Sequence, residues 1–215
     1  MGDLDRALAH VPARAEPPIY VELRVQAALL RSYLARRQGA HSVAMAAAQE
    51  ALALAPEANT MLRGLAAITH SHILLDAGDV AQAAAGYRQE LAAIWAAGIR
   101  VIIPGVTNYL VQVLLLQGQL AAAETLCRET LRRIAAAGWE AAPQTGAAHI
   151  ALAEVLCEQD QLGAAEDYAR RGLEQSRRGA FFDEIRIGAI CLARVRLARG
   201  EPADVHDSSK ATALA

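Results

Sequence analysis

The stretch Gly118-Gln119-Leu120-Ala121-Ala122-Ala123-Glu124 returns almost letter for letter as Asp160-Gln161-Leu162-Gly163-Ala164-Ala165-Glu166. Self-similarity at a fixed distance marks a repeat array. Reading outward from it, Gly39, Gly78, Gly118, Asp160 and Gly200 occupy one structural point in successive units, 39, 40, 42 and 40 residues apart by subtraction of those positions. Such spacing belongs to helical-hairpin solenoids.

A true repeat places the same residue type at the same offset from the mark. Five residues after it lie Ala44, Ala83, Ala123 and Ala165, small enough for two helices to approach closely, and thirteen after it lie Leu52, Leu91, Leu131 and Leu173. Five residues before it lie Leu34, Ile73, Val113, Val155 and Val195, all aliphatic, so this offset is predicted to be core. With Ala, Leu, Arg and Glu abundant and aromatics at 4%, the composition favours helix, and an all-α fold follows. The 215 residues are expected to form one elongated domain that adds core unit by unit.

A net charge of −2 gives no electrostatic footprint for nucleic acid, so direct nucleic-acid binding by this segment is not expected. Cys127, Cys157 and Cys191 are an odd number at unpatterned spacing inside apolar stripes, and are expected to be reduced core thiols. The N-terminal Met1-Gly2-Asp3-Leu4-Asp5-Arg6 lacks a basic region followed by an apolar core, so a cytoplasmic location is expected. Val101 to Ala123 carries no charge, yet Pro104, Gly105, Asn108, Gln112 and Gln117 interrupt it. A buried central hairpin accounts for it better than a membrane span, and no membrane association is expected.

In order along the chain, a partial repeat over 1–18 is followed by repeats over 19–56, 57–98, 99–138 and 139–179 and a partial repeat over 180–205, together one domain over 1–205. Residues 206–215 read as a disordered tail. The helices are predicted at about 19–38 and 41–54, 60–77 and 80–97, 105–117 and 120–137, 144–159 and 162–178, and 183–199. Asp79 is the expected N-cap of its helix, with Gln82 completing a capping box, and Gly98, Gly138 and Gly179 are expected to end the second helices. Both ends fall inside a hairpin, so exposed apolar surface and self-association are expected.

In the first full unit, Gly39, Ala44, Ala51-Leu52 and Pro56 follow the tetratricopeptide (TPR) pattern, and the chain resembles a TPR array. The long unit and phrases such as Leu29-Leu30-Arg31-Ser32-Tyr33-Leu34-Ala35-Arg36-Arg37-Gln38-Gly39 and Leu192-Ala193-Arg194-Val195-Arg196-Leu197-Ala198-Arg199-Gly200 resemble one subfamily. They are similar to the TPR region of MalT-like, LuxR-type ATP-dependent bacterial transcription regulators. The resemblance implies a right-handed superhelix of antiparallel hairpins and a regulatory module that receives an inducer and helps assemble an oligomer. Nothing in the chain matches that family's phosphate-binding loop or its helix-turn-helix.

Neither a Walker-type phosphate loop nor a nucleophile elbow is present, so an enzyme is not expected, nor a cofactor or metal. His70 and His72 stand two apart, which on a helix points them in different directions. One polar ladder stands out six residues before each mark: Tyr33, His72, Gln112, Glu154 and Arg194. By the TPR resemblance this offset faces a concave groove, and the offset four residues earlier adds Leu29, Ile68, Asn108, Ile150 and Ile190. Glu154 and Arg194 are expected to bridge. Mixed polar and apolar lining suits a peptide, a protein partner or a small-molecule inducer. A solvated helix face is the plainer alternative for the ladder. The leading function is a non-catalytic sensor or interaction module of a MalT-like regulator, and the alternative is a free-standing TPR adaptor holding a partner's peptide.

Overall fold

The computed structural model describes residues 17–201. The expected partial repeat over 1–18, apart from its last two residues, the end of the partial repeat beyond Glu201 and the tail over 206–215 lie outside the described residues. Among these residues there are nine α-helices and no strand. They fall into two compact units that divide after Arg100.

The first unit holds α1 (Pro18–Arg37), α2 (His41–Leu54), α3 (Thr60–Asp76) and α4 (Val80–Ala97). Helices α1 and α2 form one hairpin and α3 and α4 the next, with α3 also packed on α1 and α2. Val25, Ala28, Ala51, Ala55, Leu62 and Ala66 make the core that α1, α2 and α3 share. The second unit holds α5 (Ile103–Leu116), α6 (Leu120–Ala136), α7 (Gly146–Glu158), α8 (Leu162–Arg178) and α9 (Phe182–Ala198). Hairpins α5/α6 and α7/α8 pack through α7, and α9 lies against α7 and α8.

Each mark ends a first helix in the left-handed region, at φ 72° for Gly39, 84° for Gly78, 68° for Gly118, 60° for Asp160 and 71° for Gly200. The turn is the same every time. The Gly118 N–H donates to the Leu115 carbonyl and the Gln119 N–H to the Leu114 carbonyl, both at 2.9 Å, and Asp160 and Gln161 repeat this on Cys157 and Leu156. These bonds satisfy carbonyls that a helix end leaves open and send the chain back as the second helix. The second helices close alike at Gly98 (φ 69°) and Gly138 (φ 71°).

Gly179 ends α8 as expected, at φ −98°, and the left-handed residue is the next one, Ala180, at φ 53°. Gly179 is required for space instead, since a Cβ there would stand 2.3 Å from Cε2 of Phe181 and 2.8 Å from Cβ of Pro143. Asp79 does cap α4, its Oδ1 accepting from the Gln82 N–H at 3.1 Å. The capping box is not formed: the Asp79 N–H is already spent on the Leu74 carbonyl, so the Gln82 side chain donates to the Asp79 carboxylate instead.

The small offset is the seam of every hairpin: Ala44, Ala83, Ala123 and Ala165 are each 0% exposed. The aliphatic offset is buried at Ile73, Val113, Val155 and Val195, while Leu34 is half-buried. At the α7/α8 crossing even a methyl is too large. A Cβ on Gly172 would lie 2.6 Å from Cγ1 of Ile150 and 2.9 Å from the Gly146 carbonyl oxygen. A Cβ on Gly188 of α9 would meet Ile150 and Leu173 at 3.0 Å, so Ile150 fills the room these two glycines leave. Cys127, Cys157 and Cys191 are free, and burial pushes the thiols of Cys127 and Cys191 up to about 12.

Ala123→Leu is expected to overpack the α5/α6 seam and cost about 1–3 kcal/mol, read as a lowered denaturation midpoint. Asp160→Gly is expected to act the other way. Relieving a left-handed L-residue, less the added entropy of a glycine in the unfolded chain, is expected to gain about 0.5–1 kcal/mol in the same measurement.

Candidate functional site

The ladder residues come to different ends because each unit surrounds the same backbone position differently. In the first unit Tyr33 on α1 is 54% exposed. His72 on α3 is turned inward, its ring edge-on to Tyr87 of α4 with centroids 5.6 Å apart and planes at 81°. Tyr87 stands nine residues after its mark, where the other units have Ala48, Cys127 and Ala169, so only this hairpin offers the histidine an aromatic wall. Arg36 and Asp76 pair beside it, linking α1 to α3.

In the second unit Gln112 on α5 donates its side-chain N–H to Oε2 of Glu154 on α7, tying the two hairpins together. Arg194 on α9 does not bridge to Glu154 as expected. It pairs with Glu158, one turn further along α7, where both partners stay solvated. Glu154 is the more deeply placed carboxylate. Burial pushes it above the usual carboxylate range, against the Gln112 hydrogen bond and the field of Arg194, and the nearby charge of Glu158 adds to the rise.

The earlier offset does not line an open face as expected. Ile68, Asn108 and Ile150 are only 6%, 4% and 0% exposed, Leu29 is half-buried, and Ile190 alone of the five is exposed. Ile150 shows the reason, since it is packed between Gly172 of α8 and Gly188 of α9. Asn108 sits at the same depth with its Oδ1 unpartnered.

Sequence reasoning missed a second set of links in this unit. Gln159 donates to Glu124 at 2.9 Å, and Arg199 pairs with Glu166, so the residue just past the end of a first helix reaches back to the preceding second helix. Each of those glutamates also holds an arginine four residues on, Arg128 and Arg170 respectively. The Glu that closes both copies of the opening heptapeptide was the available signal. Beside these links, His149 meets the Tyr168 ring edge-on at 6.0 Å and Arg171 lies over that ring at 5.8 Å.

His72 and His149 both have pKa values lowered from 6.5 to about 4, first by burial and then by Arg36 and Arg171 respectively. The unfolded chain therefore binds more protons between these limits, and their contribution to stability is lost as pH falls from above 6.5 toward 4. Between pH 7 and pH 5 each imidazole is expected to remove about 2 kcal/mol. Urea denaturation at the two values measures it, and His72→Phe, which keeps the edge contact with Tyr87, should roughly halve the loss.

No curated protein matches the chain in sequence. Among solved structures the fold is similar to that of BtubC (BKLC) from P. vanneervenii, with a TM-score of 0.70 and 18% identity over 99% of this chain and 87% of that one. Such low identity speaks to the fold alone, a TPR-like helical repeat. No helix among the described residues is long and apolar enough to cross a membrane. The MalT-like TPR region matches residues 26–214. With nearly the whole chain inside that match, the chain belongs to the MalT-like TPR family.

Proposed function

We propose that the chain is a non-catalytic sensing and interaction module of a cytoplasmic, LuxR-type transcription regulator, with its receptor surface on the α5/α7 face. The observation that carries this reading is the Gln112–Glu154 pair. A scaffold needs only apolar contact between hairpins, yet here a mostly buried carboxylate is retained against a neutral amide. Perturbed carboxylates of this kind gather at functional sites. The chemistry is recognition: the carboxylate's hydrogen-bond partner is an amide, and a glutamate held this way accepts hydrogen bonds from a ligand without transferring a group to it. Signal then passes to self-association or to a partner protein through the hairpin stack.

The test is a metabolite and peptide screen on this chain by thermal shift, followed by affinity measurements on Glu154→Ala, Gln112→Ala and Arg132→Ala. Arg132 is an exposed control whose ion pair stays within α6. Arg128 is less suitable, being tied to Glu124 and Tyr168. The first two variants are expected to weaken the hit at least about tenfold, the scale of a lost hydrogen bond to a charged group, with Arg132→Ala unchanged. Equal affinity in all three would remove the receptor role from this face.

A further inference from the structure

We infer that the exposed face of α9 is a docking surface for one amphipathic helix of a partner protein, a helix with an alanine on its apolar face and a carboxylate seven residues further on. This adds a partner surface to the receptor reading and does not rest on the α5/α7 face. The repeat register carries it. In the complete hairpins the first-helix residues fourteen, ten and seven before the mark lie under the second helix. Ser32 donates to the Ala44 carbonyl at 2.9 Å, and a Cβ on Gly172 would press on Ile150 and on the Gly146 carbonyl. At the last of these offsets Ser32, Ser71, Val111 and Ala153 are all buried. On α9 the same three offsets hold Arg186, Ile190 and Ala193, and all three are exposed. Phe182 and Leu197, 69% and 74% exposed, extend them into a stripe with the spacing of one helix face. Among the described residues α9 therefore presents an open slot shaped for a second helix.

The chemistry of the occupant follows from which positions oppose one another across a hairpin. The residue five after the mark meets the one seven before it, Ala44 against Ser32. The residue twelve after meets the one fourteen before, Gly172 against Gly146 and Glu90 against Gly64, where the Glu90 carboxylate lies 3.5 Å from the place of a Cβ. At the first place α9 keeps a small residue, Ala193, so its seam admits an alanine as the other seams do. At the second it has Arg186, which reaches Asp183 only at 3.9 Å. A carboxylate standing where Glu90 stands in α4 would meet this guanidinium at the edge of an apolar stripe, a charge-complementary version of helix-in-groove recognition. The rival occupant is the chain's own continuation, since Gly200 makes the common turn, its N–H donating to the Leu197 carbonyl at 3.0 Å. Its letters suit the slot poorly. Five residues after the mark stands Val205 in place of the alanine of the four hairpins, and twelve after stands Thr212, which brings no charge to Arg186. A valine adds two carbons at a seam that is overpacked by extra methylenes.

The probe is a synthetic peptide with the sequence of α4, residues 80–97, which carries Ala83 and Glu90 at the two places. It is titrated into the whole chain while the methyl signals of Ile190 and Leu197 are followed by NMR. Saturable shifts at both are expected. Glu90→Gln in the peptide should weaken it about three- to fivefold, the scale of a partly exposed ion pair, and should have no further effect on a chain carrying Arg186→Gln. Ala83→Leu in the peptide should weaken it at least about fivefold by overpacking. Ile190→Glu separates a partner's helix from the chain's own continuation. On an open slot it abolishes peptide binding and leaves the denaturation midpoint of the free chain unchanged. A midpoint lowered by Ile190→Glu or by Val205→Glu would put the continuation in the slot and overturn the inference. So would a peptide that does not saturate, or one indifferent to the changes at Glu90 and Arg186. Because the probe reads α9 and the ligand screen reads Gln112 and Glu154, failure of this inference leaves the receptor reading to its own test.

Discussion

The architecture depends on how closely the two helices of a hairpin can approach. The seam residue is an alanine buried to 0% in all four hairpins, and at the α7/α8 crossing the seam is backbone against backbone at Gly146 and Gly172. At that distance dispersion contacts are dense and any added methylene must displace an atom. The approach also decides what the rest of the first helix can do. Residues seven before the mark are pressed against the seam and are small or trimmed: Ser32, Ser71, Val111 and Ala153 are buried, and Ser32 donates to the Ala44 carbonyl at 2.9 Å. The next residue along, six before the mark, points away from its own hairpin in Gln112 and meets the neighbouring first helix at Glu154.

That geometry explains why the fold was readable from letters and the site only partly so. A left-handed turn has a steric signature, and Gly39, Gly78, Gly118 and Gly200 announce it; Asp160 was legible only because the letters around it repeat. Ala180 had no such signature, although the glycine beside it marked the helix end. Seam alanines and flanking aliphatics follow from packing inside one hairpin, where fixed offsets suffice. The ladder instead depends on what lies across from it. Nothing at position 72 itself says that Tyr87 will wall it in, and nothing at 194 says that Glu158, one helical turn past Glu154, offers a pairing that costs less desolvation. Asn108 was read as lining from its repeat offset, whereas its depth is set by the hairpin around it.

Repeat arrays divide their free energy between units and the interfaces joining them. Four side-chain contacts of the second unit lie at those interfaces. Gln159 to Glu124, Arg199 to Glu166, Gln112 to Glu154 and Arg194 to Glu158 each join elements of successive repeats. The surface ion pairs among them contribute little alone, on the order of 0–1 kcal/mol each, so they specify the stacking more than they hold it. The Gln112–Glu154 pair differs in depth: removing Gln112 would leave a mostly buried carboxylate without its hydrogen bond.

A ligand received at that pair, as we propose, would act on more than its own contacts. Gln112 belongs to α5 and Glu154 to α7, so any group that bonds both is a contact between two hairpins. Its binding energy is added to the nearest-neighbour term of the array, the term that decides whether successive repeats move as one body. A ligand shifts an equilibrium only by its differential affinity for the two states, and a group that bonds both hairpins has affinity for the stacked state alone. The proton on Glu154 enters the same balance. Burial raises that carboxyl, so lowering the pH neutralises it before an ordinary glutamate and removes the charge that a ligand's donors would meet. On the proposed function, ligand binding, stacking of the repeats and ionisation of one glutamate would form a single linked equilibrium, carried by a side chain that the hairpin seam leaves facing its neighbour.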